Sequence, residues 1–161
     1  MKSTQMKIAV YGPLCNERSK STIRVLIKYL KNRNADVFFE KNFYESIITD
    51  SNIEIESFQF KTFQSLNTSF DLLISVGGDG TILRAITYVK NLNIPIVGIN
   101  TGRLGFLATI PMNTVEKALD EIFEGNYRIS KRSLLSITIE GDQNESELNF
   151  ALNEISVSRK N

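Results

Sequence analysis

Leu72-Leu73-Ile74-Ser75-Val76-Gly77-Gly78-Asp79-Gly80-Thr81-Ile82-Leu83-Arg84-Ala85-Ile86-Thr87-Tyr88-Val89 is the stretch that decides the fold class. Its first five residues are mostly apolar and β-prone, the pattern of a buried strand. From Ile82 to Val89 the apolar residues recur at helical spacing. A strand that feeds a helix through a glycine-rich turn makes a phosphate site: the amides of the turn point outward and the helix dipole favours negative charge. Asp79 does not fit that role, because a carboxylate repels phosphate. Its alternatives are a metal ligand, a proton acceptor for a hydroxyl, or an ordinary turn or cap residue.

Working outward, the same alternation repeats. Ile8-Ala9-Val10-Tyr11-Gly12 reads as a short strand ending at Gly12-Pro13, and Ser19 to Lys31 as a helix with Ile23, Leu26, Ile27 and Leu30 on one face. Asp36 to Glu40 is a second strand and Phe43 to Ile48 a short helix. Residues 49–69 are polar and weakly patterned, and are expected to be a mobile connection. Asp71 to Val76 is the third strand, and its helix runs to about Lys90, where Asn91 and Asn93 break it. Ile94 to Ile99 is the fourth strand. Strands alternating with helices at this spacing predict βαβ units, hence an α/β fold with a three-layer open parallel sheet.

Asn113-Thr114-Val115-Glu116 has the form of a helix start, with Asn113 as cap, and Gly125 is its stop. Helical signals then cease. Leu134 to Ile139 and Leu148 to Val157 are β-rich, with a turn between them at Glu140 to Glu145. The expected division is residues 1–125 as an α/β nucleotide-binding domain and 126–161 as the opening strands of an incomplete, β-rich second domain. Two or three strands alone leave open edges and an unfilled face, so the sequence reads as the first part of a longer protein.

The 161 residues suffice for one domain, or one and part of another. Such a chain buries roughly 68–70% of its unfolded surface, enough for a core without staples. A net charge of +1 gives no support for general nucleic-acid or membrane binding. Cys15 is the single cysteine and has no internal disulfide partner, which points to a reducing compartment. The amino terminus has no apolar signal core, and no stretch reaches transmembrane length, so cytoplasm is the expected location. The chain has no histidine. Cys/His zinc sites, Ser-His-Asp triads and histidine bases are therefore excluded, and acid–base work falls to Asp, Glu, Lys or Tyr.

Two phosphate motifs are also excluded. No lysine follows these glycines as a P-loop requires, and Leu83 stands where the dinucleotide fingerprint places its third glycine. Between Asp71 and Glu116 the sole carboxylate is Asp79, while Arg84, Lys90 and Arg103 are basic. That balance suits an anionic ligand beside one functional acid. Arg84, one turn into the helix, is either a phosphate contact or part of a solvated face. A second glycine cluster, Gly98-Ile99-Asn100-Thr101-Gly102-Arg103-Leu104-Gly105-Phe106-Leu107, follows the fourth strand. Ligands of open parallel sheets bind beyond the carboxyl ends of strands, so the two clusters should lie side by side if their strands are neighbours. Phe106 is either a stacking surface for a base or core packing behind the turn. Asn153 and Glu154, in Leu152-Asn153-Glu154, are strand-edge residues or acceptors for sugar hydroxyls.

These three stretches, Gly77 to Thr81, Gly98 to Leu107 and Leu152 to Glu154, together resemble the NAD kinase family in order and spacing. The first alone also resembles diacylglycerol and sphingosine kinases, so a lipid kinase is the alternative of the same chemistry, and a nucleotide-binding module without turnover the non-enzymatic one. The resemblance implies transfer of the ATP γ-phosphate to the adenosine ribose 2′-hydroxyl of NAD, giving NADP. It implies Asp79 as proton acceptor, with Gly77, Gly78, Gly80, Arg84, Asn100, Thr101 and Gly102 around the nucleotides. It sets Phe106 against the adenine, and Asn153 and Glu154 on NAD from the second domain. It further implies Mg²⁺ with ATP, small-molecule nucleotides as partners, and a homo-oligomer, dimer or tetramer. The family's second domain continues with further NAD contacts, including a Gly-Ser-Thr-Ala-Tyr-like segment that this sequence does not contain.

Overall fold

The computed structural model describes residues 5–49, 60–103, 105–136 and 150–152. Six parallel strands form one sheet in the order β3-β2-β1-β4-β5-β6. They are β1 (Lys7–Tyr11), β2 (Asp36–Glu40), β3 (Lys61–Phe63), β4 (Leu72–Gly77), β5 (Ile96–Asn100) and β6 (Ile110–Pro111). The helices are α1 (Glu17–Asn32), α2 (Lys41–Ile48), α3 (Asp79–Val89) and α4 (Val115–Phe123). Strand alternation divides the core between the two faces of the sheet. Ile8, Val10, Ile74 and Val76 point to a cluster with Ile23, Leu26 and Leu30 of α1, Phe43 and Ile47 of α2, and Leu119 of α4. Ala9, Tyr11 and Leu73 point the other way, to Ala85 and Val89 of α3. This is the expected three-layer open sheet, with β4 buried along its whole length.

The strand order locates the ligand crevice. From β1 the chain builds outward through β2 and β3, then returns to the other side of β1 with β4 and continues to β6. The direction of winding thus reverses between β1 and β4, and ligands of such sheets bind beyond the carboxyl ends of the strands at that reversal. Tyr11-Gly12 ends β1 there and Gly77-Gly78 ends β4.

Helix ends follow local chemistry. The Asn16 side chain accepts from the backbone N–H of Arg18 and Ser19, and Ser19 Oγ accepts from the Asn16 N–H, so a capping box starts α1 two residues before the start expected from the sequence. At the end of α4, Gly125 (φ 78°) donates to Ile122 O and Asn126 to Glu121 O, the paired bonds of a Schellman stop. Asn113 does not cap α4. Met112–Thr114 form a single 3₁₀ turn, and the helix begins after Thr114 with no side-chain cap.

Two strands escape the sequence pattern. Of 49–69, expected to be a mobile connection, residues 50–59 lie outside the described ones; in the rest β3 pairs with β2, and Leu66 enters the core. The two-residue β6 pairs with β5 at the sheet edge, where Pro111 costs no interior ladder bond. Both are too short to show periodicity. The chain divides into two compact units, residues 1–127 and 128–161. In the second unit the described strands are β7 (Leu135–Ser136) and β8 (Phe150–Ala151), paired antiparallel. Leu134 and Leu152, within the two expected β segments, are described but lie outside the strands; residues 137–149, with the turn between the segments, and residues 153–161, with Asn153 and Glu154, lie outside the described residues.

Candidate active site

The turn after β4 is shaped by its glycines in two ways. A Cβ at Gly77 would lie 2.8 Å from Thr81 Cβ, and the residue has φ 156°, so packing and backbone both require glycine. At Gly78 and Gly80 an added Cβ meets nothing within 4 Å among the described residues. Those two positions leave open space in front of the turn. Gly78 is the cap of α3 and provides no side-chain hydrogen bond, in contrast to Asn16 on α1. The first amides of α3 therefore carry their positive end into that space, where an anion suits them.

Asp79, the first residue of α3, reaches across to the second glycine cluster. Its Oδ2 accepts from Phe106 N–H at 2.9 Å, and its Oδ1 from Leu107 N–H at 3.0 Å and Ala108 N–H at 2.9 Å. These bonds hold the carboxyl below the usual carboxylate range: Ala108 N–H contributes most, then Phe106, with Leu107 adding and partial burial opposing. The sign is that of a depressed acid. The clasp is at full strength above the ordinary Asp pKa and is lost as pH falls through the lowered one.

Gly77 pairs with Asn100 where β4 meets β5, so the two clusters are neighbours as expected. Asn100 is buried and organises the second loop. Its Oδ1 accepts from Gly102 N–H at 2.7 Å, and its Nδ2 donates to Arg103 O at 2.7 Å and Ala108 O at 3.2 Å. Thr101 and Gly102 line a cleft of about 270 Å³ with Asn100, Arg18, Pro111 and Met112. Phe106 is 89% exposed, which removes core packing from its two readings. Arg84 is exposed on α3, and its charge acts on the Tyr11 hydroxyl at the end of β1, opposing the rise that burial causes there. The structure thus joins Gly77, Asp79, Asn100, Gly102 and Phe106 directly, and brings Arg84 near the end of β1.

Sequence reasoning missed four contributors. Gly105 lies against the Asp79 carboxylate. Tyr11 lies within reach of the Arg84 charge, and the buried Glu40 acts on Tyr88, whose hydroxyl is pushed up to about 12 by burial and then by that negative charge. Arg18 adds a cation to the cleft. Tyr11 and Glu40 end their strands at the crevice side, a position that strand reading alone can flag. Gly105 stands within the second glycine cluster, though its role against Asp79 is set by packing, and Arg18 carries no such signal.

The family model described as ATP-NAD kinase N-terminal domain matches residues 12–127. The chain is 44% identical over 157 residues to the NAD kinase of Christiangramia forsetii, covering 97% of this chain and 53% of that protein. It is 46% identical over 156 residues to the NAD kinase of Flavobacterium psychrophilum, covering 96% and 53%. It therefore spans about half the length of the curated relatives it matches. A crystal structure of yeast NADH kinase complexed with NADH superposes with a TM-score of 0.71 at 20% identity, over 93% of this chain and 47% of that one, a likeness of fold. No helix among the described residues is long and apolar enough to cross a membrane. With the family model covering most of its length, this chain belongs to the ATP-NAD kinase family.

Proposed function

We propose that this chain carries the phosphate turn and the proton acceptor of an NAD kinase, which transfers the γ-phosphate of ATP to the adenosine ribose 2′-hydroxyl of NAD. The observation that carries the reading is the junction at the winding reversal. An uncapped helix start faces open space at Gly78 and Gly80, beside a carboxylate that accepts from the backbone N–H of Phe106, whose ring is exposed. In the reaction the 2′-oxygen forms a bond to the γ-phosphorus as the bond from that phosphorus to the ADP oxygen breaks. The hydroxyl proton passes to Asp79. A hydroxyl is a poor nucleophile until that proton leaves, and a positioned acceptor is worth about 10²–10⁴-fold. The amides of the turn and of the first turn of α3 stabilise the transferred phosphoryl charge, with Arg84 as the nearby cation.

Asn100, Thr101 and Gly102 shape the loop beside the nucleotide, and Phe106 offers its face to the adenine. Asn153 and Glu154 are assigned to NAD on the family resemblance. Mg²⁺ bound to ATP supplies charge neutralisation on the phosphates. Among the described residues there is no group of three or more potential metal-ligating side chains. The same reading includes a β-rich NAD-binding domain opening at about residue 126, a homo-oligomer and a cytoplasmic location. No observation favours the lipid-kinase alternative.

The test is NADP formation from Mg-ATP and NAD, with the 161-residue chain and with the chain extended to the length of its relatives. Asp79→Asn should lower turnover about 10²–10⁴-fold in whichever form is active. Wild-type turnover in that variant would remove Asp79 as the acceptor. Lack of NADP from the extended wild type would overturn the kinase reading itself.

A further inference from the structure

Three consecutive amides, those of Phe106, Leu107 and Ala108, converge on one carboxylate. Holding three successive N–H groups toward one point costs loop entropy, which the charge-assisted bonds offset. The approach is so close that a Cβ at Gly105 would lie 2.5 Å from Asp79 Cγ and 2.7 Å from Oδ2. Glycine at 105 is thus a condition of the clasp. On either side the loop is held independently, by the Asn100 bonds to Gly102 and Arg103 and by the fully buried Ala108. Phe106 lies between these anchors. Its ring is exposed, so its backbone placement rests on the bond from its own N–H to Asp79 Oδ2.

We infer that Asp79 is also a positioning residue for Phe106: its carboxylate anchors the 105–108 loop and so presents the Phe106 ring as a fixed face for the purine base of the nucleotide substrate. An aromatic platform binds a base best when its place is set beforehand, because less freedom is lost on binding. Asp79 therefore governs nucleotide affinity as well as turnover, and Gly105 governs affinity through Asp79. The identity of the base as the adenine of NAD rests on the function proposed above.

The test has two arms. Amide hydrogen exchange on the 161-residue chain reads the clasp with no ligand present. Asp79→Asn retains the shape but turns an NH₂ toward a donor, and Gly105→Ala keeps the carboxylate but displaces it. Each should lower protection at Phe106, Leu107 and Ala108 by about tenfold or more, with β4 and α3 unchanged. Unchanged protection in both overturns the clasp. The second arm measures NAD binding by the chain extended to the length of its relatives. Gly105→Ala and Phe106→Ala should each weaken NAD binding by about tenfold, and the double variant should bind no worse than Phe106→Ala alone. Additive losses, or NAD binding unaffected by Gly105→Ala, overturn the positioning role. NAD that binds as expected and is not phosphorylated leaves the positioning role standing and overturns the kinase reading.

Discussion

At the scale of the residue, glycines in one turn do different work. Gly77 is demanded by Thr81, whereas Gly78 and Gly80 face open space. Gly77→Ala should therefore lower stability by about 1–3 kcal/mol, through overpacking against Thr81. Gly78→Ala should change it by less than about 0.5 kcal/mol while weakening nucleotide binding, because its methyl enters the phosphate space. Urea unfolding beside ATP binding separates the two effects, and equal stability losses would show that the space is not free. Asp79 also illustrates why residue type alone does not set chemistry. A carboxylate bonded to three amides remains ionised at neutral pH and is a weaker base than a solvated one.

At the scale of the element, α1 and α4 are tied by a polar contact over an apolar one. Tyr29 Oη donates to Asp120 Oδ1 at 2.7 Å, Arg33 bonds both groups, and the Tyr29 ring meets Phe123 edge-on at 5.9 Å between centroids. Burial, then the bond to Asp120, pushes the Tyr29 hydroxyl up to about 12. A raised pKa gives stability that is complete below the unfolded value near 10 and is lost as pH rises from there toward 12. Tyr29→Phe should cost about 1 kcal/mol at pH 7. The gap between wild type and variant should close across that alkaline window, as followed by denaturant midpoints. A constant gap would place the contribution of Tyr29 in packing alone. The capping box of α1 belongs to the same scale: Asn16→Ala should cost about 1 kcal/mol, read from thermal unfolding.

At the scale of the whole molecule, the apolar cluster beneath α1, α2 and α4 supports the crevice. Phe43 is fully buried, and its ring lies so close to Gly12 that an added Cβ there would come within 2.6 Å of it. Phe43→Ala should cost about 3–5 kcal/mol, seen as a lower unfolding midpoint, and should loosen the turn that ends β1. We also expect a chain ended at Tyr127 to unfold as cooperatively as the 161-residue chain, since the sheet and its four helices lie within residues 1–127. A broad, non-cooperative transition in that shorter chain would put the boundary elsewhere.

Local and periodic features were legible before any folding was considered. Buried strands of five or six residues, amphipathic helices of eight or more, the Gly125 stop and the Gly-rich turn after β4 are specified by residues within a few positions of one another. The α/β class and both glycine clusters follow from them. The strand order, and with it the winding reversal between β1 and β4, came from packing alone. Packing also recruited β3 and β6, whose two or three residues become strands because a neighbouring strand offers backbone partners. It turned Asp79 onto amides 27 to 29 positions away and exposed Phe106. Periodicity records which way a side chain faces within its element. Which distant backbone meets it depends on how the elements pack.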